Sequence, residues 1–567
     1  MENINKKIGN IFSKIFVYHE KTKYDFSLPE KEEELSSNEG SANEISVEKK
    51  NIFPTLQVNL EYLKYKYNTL INSDIEIREF TLLANNKQYS AFLLYIDGMV
   101  DSKIVNDFIL KPLMLRNKAN TFEGDIAKVA ISNNITVRKK KNFDLINYIF
   151  NNLMPQNSVK KVEEFKKIIA DVNTGNCALF IDTLNIAFSI EVKGFKSRSV
   201  SNPNNEIVVR GSQEAFVEVI RTNTSMLRRI INNENLIIEN TTVGKISNTK
   251  IAICYIKNIV NDDLVAEVKY RINNLDIDYL ISSGQLEQFI QDDAAIVFPE
   301  IIATERPDKT ANHLLEGRVA VIVNGSPYVL IMPGVLVDFM SSPEDLNLKF
   351  QYSNLLRIIR YVAAFLALFL PGLYVAITNY HQELIPTELL FAISASRETV
   401  PFPIIFEILI MEIAFELIRE AGLRVPSPIG PTIGIVGALI LGESAVSANV
   451  VSPILIIIVA ITGICSFAIP DFSLSFTLRF FRFLYIILGY LLGLLGIGLG
   501  IFIHAIILSN VKSFGVPYLS PYLPISNSTS EASTFLPPIW KRERRADFLN
   551  VKKKKSQSKF SMKWKLF

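Results

Sequence analysis

PFPIIFEILIMEIAFELIREAGLRVPSPIGPTIGIVGALILGESA, Pro401 to Ala445, decides how the whole chain must be read. Its first half is an apolar run holding three carboxylates, Glu407, Glu412 and Glu416; its second, Ile429 to Gly442, is apolar, short and punctuated by glycine. A carboxylate at bilayer depth costs a few kcal/mol on insertion scales, so such groups face protein or water and read as functional. At about 100° per residue Glu412 and Glu416 share a helix face, while Glu407 lies roughly 140° around from Glu412, so no single acidic stripe holds all three. The second half would make a helix of roughly 21 Å against a hydrocarbon core of about 30 Å. Broken segments of that kind are tolerated at membrane depth only where protein or water surrounds them. Together the halves predict an oligomeric membrane device gated by the rest of the chain.

Working outward, Ile358 to Thr378 (IIRYVAAFLALFLPGLYVAIT) is long enough to span, with a kink near Pro371, and Tyr352, Arg357 and Arg360 suit an interfacial entrance. Pro401 to Ile418 returns. The Ile429 to Gly442 segment is read as re-entrant, with Ile433, Val436, Ile440, Glu443 and Ser444 as the residues that would line a pore or gate. Val450 to Ile469 is a further span, and Phe483 to Leu508 a last one, whose Gly489 and Gly493 offer small-residue packing. Glu416 and Glu420 are expected at the headgroups, paired with Arg419, Arg424 or a neighbouring subunit. The Lys541 to Arg545 and Lys552 to Lys555 runs predict a cytoplasmic tail, which requires an even number of crossings. Arg479 and Arg482 then fall in the loop before the last span, on the outside unless they sit at the interface. The alternative is a scheme in which every half-segment crosses.

The N-terminal half has the opposite texture. Residues 1–50 join an amphipathic start, with Ile8, Ile11, Phe12, Ile15 and Phe16 at helical spacing, to an acidic stretch from Ser27 to Lys50 whose composition predicts disorder. From Pro54 mixed α/β patterning begins: strands at IEIREFTLL and SAFLLYI, a helix capped by Asp101, helices at FDLINYIFNNLM and VKKVEEFKKIIADV, then strands CALFI and IAFSIEV. LLYIDGMVDSKIV at Leu93 to Val105 aligns without gaps on ICYIKNIVNDDLV at Ile253 to Val265, and GNCALFIDTLNIAF at Gly175 resembles GRVAVIVNGSPYVL at Gly317, where Asn324-Gly325 signals a type I′ hairpin. The fold class is therefore an α/β N-terminal half of two related subdomains, 51–200 and 201–350, followed by an all-α membrane domain, 351–510, of about four spans plus the re-entrant segment, and a basic tail, 511–567.

Charge and motif content exclude other classes. Sixty basic against 57 acidic residues leave a net charge of +3, which is no nucleic-acid polycation. Three cysteines, Cys177, Cys254 and Cys465, form neither a CxxC nor a His-rich cluster, so no disulfide framework or metal site is expected. No GxGxxG, P-loop, HExxH or nucleophile elbow occurs, so neither a catalytic constellation nor a cofactor is expected.

RTNTSMLRRII (221–231), TERPDKTANHLLEGRVAVIVNGSPYVLIMPG (304–334), PFPIIFEILIMEIAFELIREAGLRVPSPIG (401–430) and FGVPYLSPYLP (514–524) resemble the A subunit of GerA-type spore germinant receptors, over roughly Thr55 to Arg545. The resemblance implies a membrane protein of the spore inner membrane with body and tail in the spore core. It also implies partners: a transporter-like B subunit that binds the nutrient, a lipoprotein C subunit, and further copies of the chain in a ring through which monovalent cations leave. On this resemblance the Glu-bearing helix maps to Glu407, Glu412 and Glu416. An A-like protein of the dipicolinic-acid release machinery shares these phrases and is the alternative. A secondary transporter is the weaker one, because those folds pair inverted broken helices and only one broken segment occurs here.

Overall fold

The computed structural model describes residues 25–30, 51–84, 87–115, 144–156, 158–194, 203, 205–293, 296–424, 442–525, 533–558 and 561. The amphipathic start and most of the acidic stretch lie outside them; Leu28, within that stretch, is buried and its backbone meets Gly515 and Asn550.

The first sheet is built from β1 (Ile75–Ala84), β2 (Lys87–Ile96), β3 (Val159–Val162), β4 (Asn176–Ile181) and β5 (Ala187–Glu191), antiparallel throughout, in the order β1-β2-β4-β5-β3. The second is built from β6 (Leu236–Val243), β7 (Thr249–Ile256), β8 (Ile302–Thr304), β9 (Val319–Val323) and β10 (Val329–Met332), in the order β6-β7-β9-β10-β8, so each strand holds the same place as the one five earlier. Helices cover both faces of each sheet, which is why central strands read as continuous apolar runs rather than alternations. In β2, Phe92, Leu94 and Ile96 enter one core, with α1 (Leu56–Tyr67) and α2 (Phe165–Asn173), while Ala91 and Leu93 enter the other.

The two aligned stretches occupy equivalent positions. Leu93 to Val105 ends β2, turns and opens a helix whose Lys103 N–H donates to Asp101 Oδ1 at 2.8 Å; Ile253 to Val265 ends β7, turns and opens α4 (Asp262–Asn273), whose Asp263 N–H donates to Asn261 Oδ1 at 3.0 Å. These are the side-chain caps that satisfy orphan amides at a helix start. Two local expectations fail. VKKV is the edge strand β3, not helix: its exposed Lys160 and Lys161 blunt a sheet edge, a pattern too short to separate from helix by period. Asn324-Gly325 forms a turn, closed by Ser326 N–H to Val323 O at 3.3 Å, but not the type I′ hairpin. Only Gly325 has positive φ, and the pair bonds outward, Asn324 N–H to Lys250 O and Gly325 N–H to Glu218 O.

The sheets meet at α3 (Ile220–Ile230). Arg228 donates to both oxygens of Asp74 at 2.8 Å and to Asn72 Oδ1 at 3.0 Å, all buried, while Arg221 pairs with Asp97. After α5 (Pro307–Glu316) and β10, the chain rises into α6 (Phe350–Tyr380), which contains Pro371. Arg357 and Arg360, expected as interfacial anchors, both grip the buried Asp345, so they fasten the root of α6 to the body.

Beyond α6 come α7 (Thr387–Arg397), α8 (Ile404–Arg424), α9 (Pro453–Phe467) and α10 (Phe472–Asn510). Among the described helices α6 and α10 are the two long and apolar enough to cross a membrane. α10 is not one rod. Gly493 sits at φ +61°, ψ −143°, a conformation essentially confined to glycine, and the chain folds back there. Tyr485 Oη reaches His504 Nδ1 at 3.2 Å, although a straight helix would hold these residues about 28 Å apart. The expected single span Phe483 to Leu508 is therefore a hairpin: an outgoing leg, 472–492, and a returning leg, 494–510. Gly489 does pack as expected, since a Cβ there would lie 2.5 Å from Gly372 O of α6.

Body and bundle share one core. Residues of the second sheet such as Ala252, Cys254 and Ile322 belong to the same buried cluster as Leu368 and Ala376 of α6, and Phe481, Tyr485 and Ile497 of α10. The tail closes the structure on the body. β11 (Lys512–Ser513) and β12 (Val516–Pro517) follow the returning leg, Arg545 Nε donates to Leu315 O at 2.7 Å, and Leu549 and Val551 fill that shared core.

Candidate functional site

α8 is an apolar helix whose three glutamates all lie in protein. Glu407 and Glu412 are fully buried and Glu416 is partly so. Glu407 stands near the end far from the body. Its Oε2 accepts from the Ser452 N–H at 3.1 Å, just before α9, and its Oε1 from the Arg397 guanidinium of α7 at 3.4 Å. It ties three elements where α8 and α9 begin.

Glu412 and Glu416, one turn apart, turn to the outgoing leg of α10. Glu416 accepts from Arg479 at 2.6 Å and from Arg482 at 3.1 Å, and Glu412 lies 3.1 Å from Arg482. Two carboxylates meet two guanidiniums, so the formal charges of these four groups cancel. Neither oxygen of Glu412 forms a directional hydrogen bond, nor does Arg482 Nε or Nη1, so that contact is held by charge alone. Arg479 is braced by the Ser475 carbonyl at 3.2 Å, and Arg419 extends the cluster toward the body, its guanidinium over the Phe467 ring and 3.4 Å from Ser466 Oγ.

This corrects the expected partners. Arg479 and Arg482 are not loop residues before a span but buried residues about two and three turns inside α10. They supply the counter-charges that Arg419, Arg424 or a second copy were expected to bring to Glu416. Glutamates and arginines sit 63 to 70 positions apart, 416 to 479 and 412 to 482, so no local pattern joins them. The available signal was arithmetic: three acidic groups in one apolar run and two arginines at the edge of another.

The gate candidates fare differently. Ile433, Val436 and Ile440, with the re-entrant reading of that segment, lie outside the described residues. Glu443 and Ser444 are exposed and belong to the far end, where Asn449 bonds Thr399 at 3.1 Å. α8 and α9 both run toward the body: Ser452 meets Glu407 at the far end, while Ser466 O accepts from Ser475 Oγ at 2.9 Å at the body end. The described chain thus stops at Arg424 near the body and resumes at Gly442 at the opposite end of the bundle.

A two-sheet body sharing its core with apolar helices, whose outer faces expose Phe365, Leu417, Ile464, Leu495 and Phe502, is a membrane-associated protein with a large extramembrane part. The Bacillus/Clostridium GerA spore germination protein family matches residues 61–548, and the chain belongs to that family. It is 37% identical over 508 residues to spore germination protein KA of Bacillus subtilis (strain 168), covering 90% of this chain and 89% of that one. It is 36% identical to spore germination protein A1 of the same organism, over 84% of this chain and 95% of that one, and 36% identical to its uncharacterized membrane protein YfkQ, over 87% and 91%. Among solved structures, the N-terminal domain of the A subunit of the Bacillus megaterium spore germinant receptor GerK3 is 30% identical, covers 50% of this chain and 96% of that domain, and superposes with a TM-score of 0.35.

Proposed function

We propose that this chain is the A subunit of a nutrient germinant receptor and contributes a gated path by which monovalent cations leave the spore core. It works in the spore inner membrane with a transporter-like B subunit that binds the nutrient, a lipoprotein C subunit, and further copies of itself in a ring. Residues 51–200 and 201–350 act as two related subdomains of one regulatory body, on the same side of the membrane as the tail.

The observation that carries this reading is the buried link between Glu412 and Glu416 on α8 and Arg479 and Arg482 on α10. α10 shares its core with the body, so a shift of the body moves the arginines; α8 leads directly into the Pro/Gly segment of Ile433, Val436 and Ile440. Buried ion pairs contribute little net stability, because desolvation offsets their attraction, and intramembrane charges mark working parts. The three glutamates here are not a free acidic ring. Glu412 and Glu416 act as a latch between body-coupled and gate-coupled helices, and Glu407 fixes the far end of the same lever.

Spores lacking the gene, assayed for potassium and dipicolinic-acid release against a panel of nutrients, test the reading. Failure with one nutrient or one group of nutrients is expected. Uniform slowing with all of them would favour the dipicolinic-acid accessory role instead, and unchanged release would remove both.

A further inference from the structure

Where the bundle meets the body, a cavity of about 300 Å³ opens between α6 and the two legs of α10. Ala364 and Leu368 of α6, Leu478 of the outgoing leg, and Ala505 and Leu508 of the returning leg form its walls, and Phe298 of the body closes one end. Its one ionisable imidazole is already engaged: His504 bonds Tyr485 and packs its ring against Phe298 and Phe481, at 5.2 and 4.7 Å between centroids. A water there would lack the two to four polar partners it needs, and apolar cavities that water avoids take apolar ligands.

The direction of the opening identifies the occupant. Phe365 and Ile501 line the cavity yet are about half exposed, so its mouth lies on the outer surface of the two helices that are long enough to span. In a bilayer that surface is covered by hydrocarbon, so the substance at the mouth has the same chemistry as the walls.

We propose that this cavity takes an acyl chain of a membrane lipid, entering sideways between α6 and the returning leg of α10. The chain would end against Phe298, at the joint through which the body moves the outgoing leg, so bound lipid stiffens that joint.

The test uses the full chain reconstituted in phosphatidylcholine vesicles containing a small fraction of phosphatidylcholine with a diazirine at mid-chain. After illumination, adducts are mapped by mass spectrometry. Labelling at Leu368 and Leu478, which line the cavity and are less exposed, is expected to exceed that at the outward-facing Val362 and Phe502 by about tenfold. Ala364→Trp, which fills the cavity, should abolish that excess and leave Phe502 labelling unchanged. Should that variant fail to fold, Ala505→Phe fills the same space from the other wall. Labelling that merely follows exposure in the wild-type chain, or an excess that survives filling in a folded variant, overturns the proposal.

Discussion

At the scale of single residues, the decisive fact is that Arg482 is fully buried and faces two carboxylates, Glu412 at 3.1 Å and Glu416 at 3.1 Å. Such a pair adds little net stability, yet removing one partner strands the other in a low-dielectric site at a cost of ~3–5 kcal/mol. Arg482→Ala is therefore expected to lower the melting temperature of the detergent-purified chain sharply. Arg482→Ala combined with Glu412→Leu should recover much of that loss, since no charge is then stranded at Glu412. Thermal melts of the two single variants and the double variant check this, and additive losses would show that the residues are not coupled. Half of this site was legible in the sequence. A glutamate in an apolar run announces itself, and its i,i+4 spacing to another predicts the shared face that Arg482 meets. The arginines were not legible, because hydropathy places a span where charges stop, whereas α10 begins eleven residues earlier than Phe483 and carries its charges inward against the glutamates.

At the scale of elements, composition and conformation part company at Gly493. Both legs of α10 are apolar and rich in small residues, so the run reads as one span, and nothing in residue type reports the sign of φ. The fold-back is fixed by contacts distant in sequence. Gly496 and Gly500 press on Leu488 and Tyr485 of the first leg, and Gly493 sits against Tyr380 and His381 at the end of α6. A chain with Cys465→Ser, Tyr485→Cys and His504→Cys is expected to crosslink readily with a short bifunctional thiol reagent. A continuous helix would separate those positions by about 28 Å and give no product. Gly493→Ala should reduce the yield, because the site needs a conformation that costs a side-chain-bearing residue about 1–3 kcal/mol. The α/β half was more legible, for a related reason: its strands announce themselves by dense apolar runs and its helices by Asp101 and Asn261 caps, all local signals. The failures there, VKKV and Asn324-Gly325, are places where the partner, an edge of a sheet or a neighbouring loop, decided the outcome.

At the scale of the molecule, the tail clamps the body to the returning leg, and that clamp is built on a carboxyl group in the wrong medium. Glu300 is buried; its Oε2 accepts from Asp292 N–H at 2.7 Å, its backbone carbonyl accepts from Ser513 Oγ at 2.6 Å, and Asp292 in turn receives the Phe514 N–H at 2.5 Å and the Arg271 guanidinium at 2.6 Å. Arg271 also bonds Glu267 and covers the Phe514 ring. Burial first, and the nearby Asp292 second, push the Glu300 carboxyl up from 4.5 to about 8. Over that interval the folded chain holds a proton that the unfolded chain has released, so stability falls as pH rises from about 5 to about 8 and levels off above it. Glu300→Gln keeps an acceptor for the Asp292 amide and cannot ionise. The variant is expected to lose this part of the pH dependence and to gain on the wild type as pH rises, by on the order of a few kcal/mol at pH 8. Melting temperatures of both full-length chains between pH 5 and pH 8.5 decide the matter. Parallel curves would mean that Glu300 does not carry the slope, whereas curves that diverge upward through pH 7 would place a proton-sensitive hold between the body and the segment that follows the returning leg.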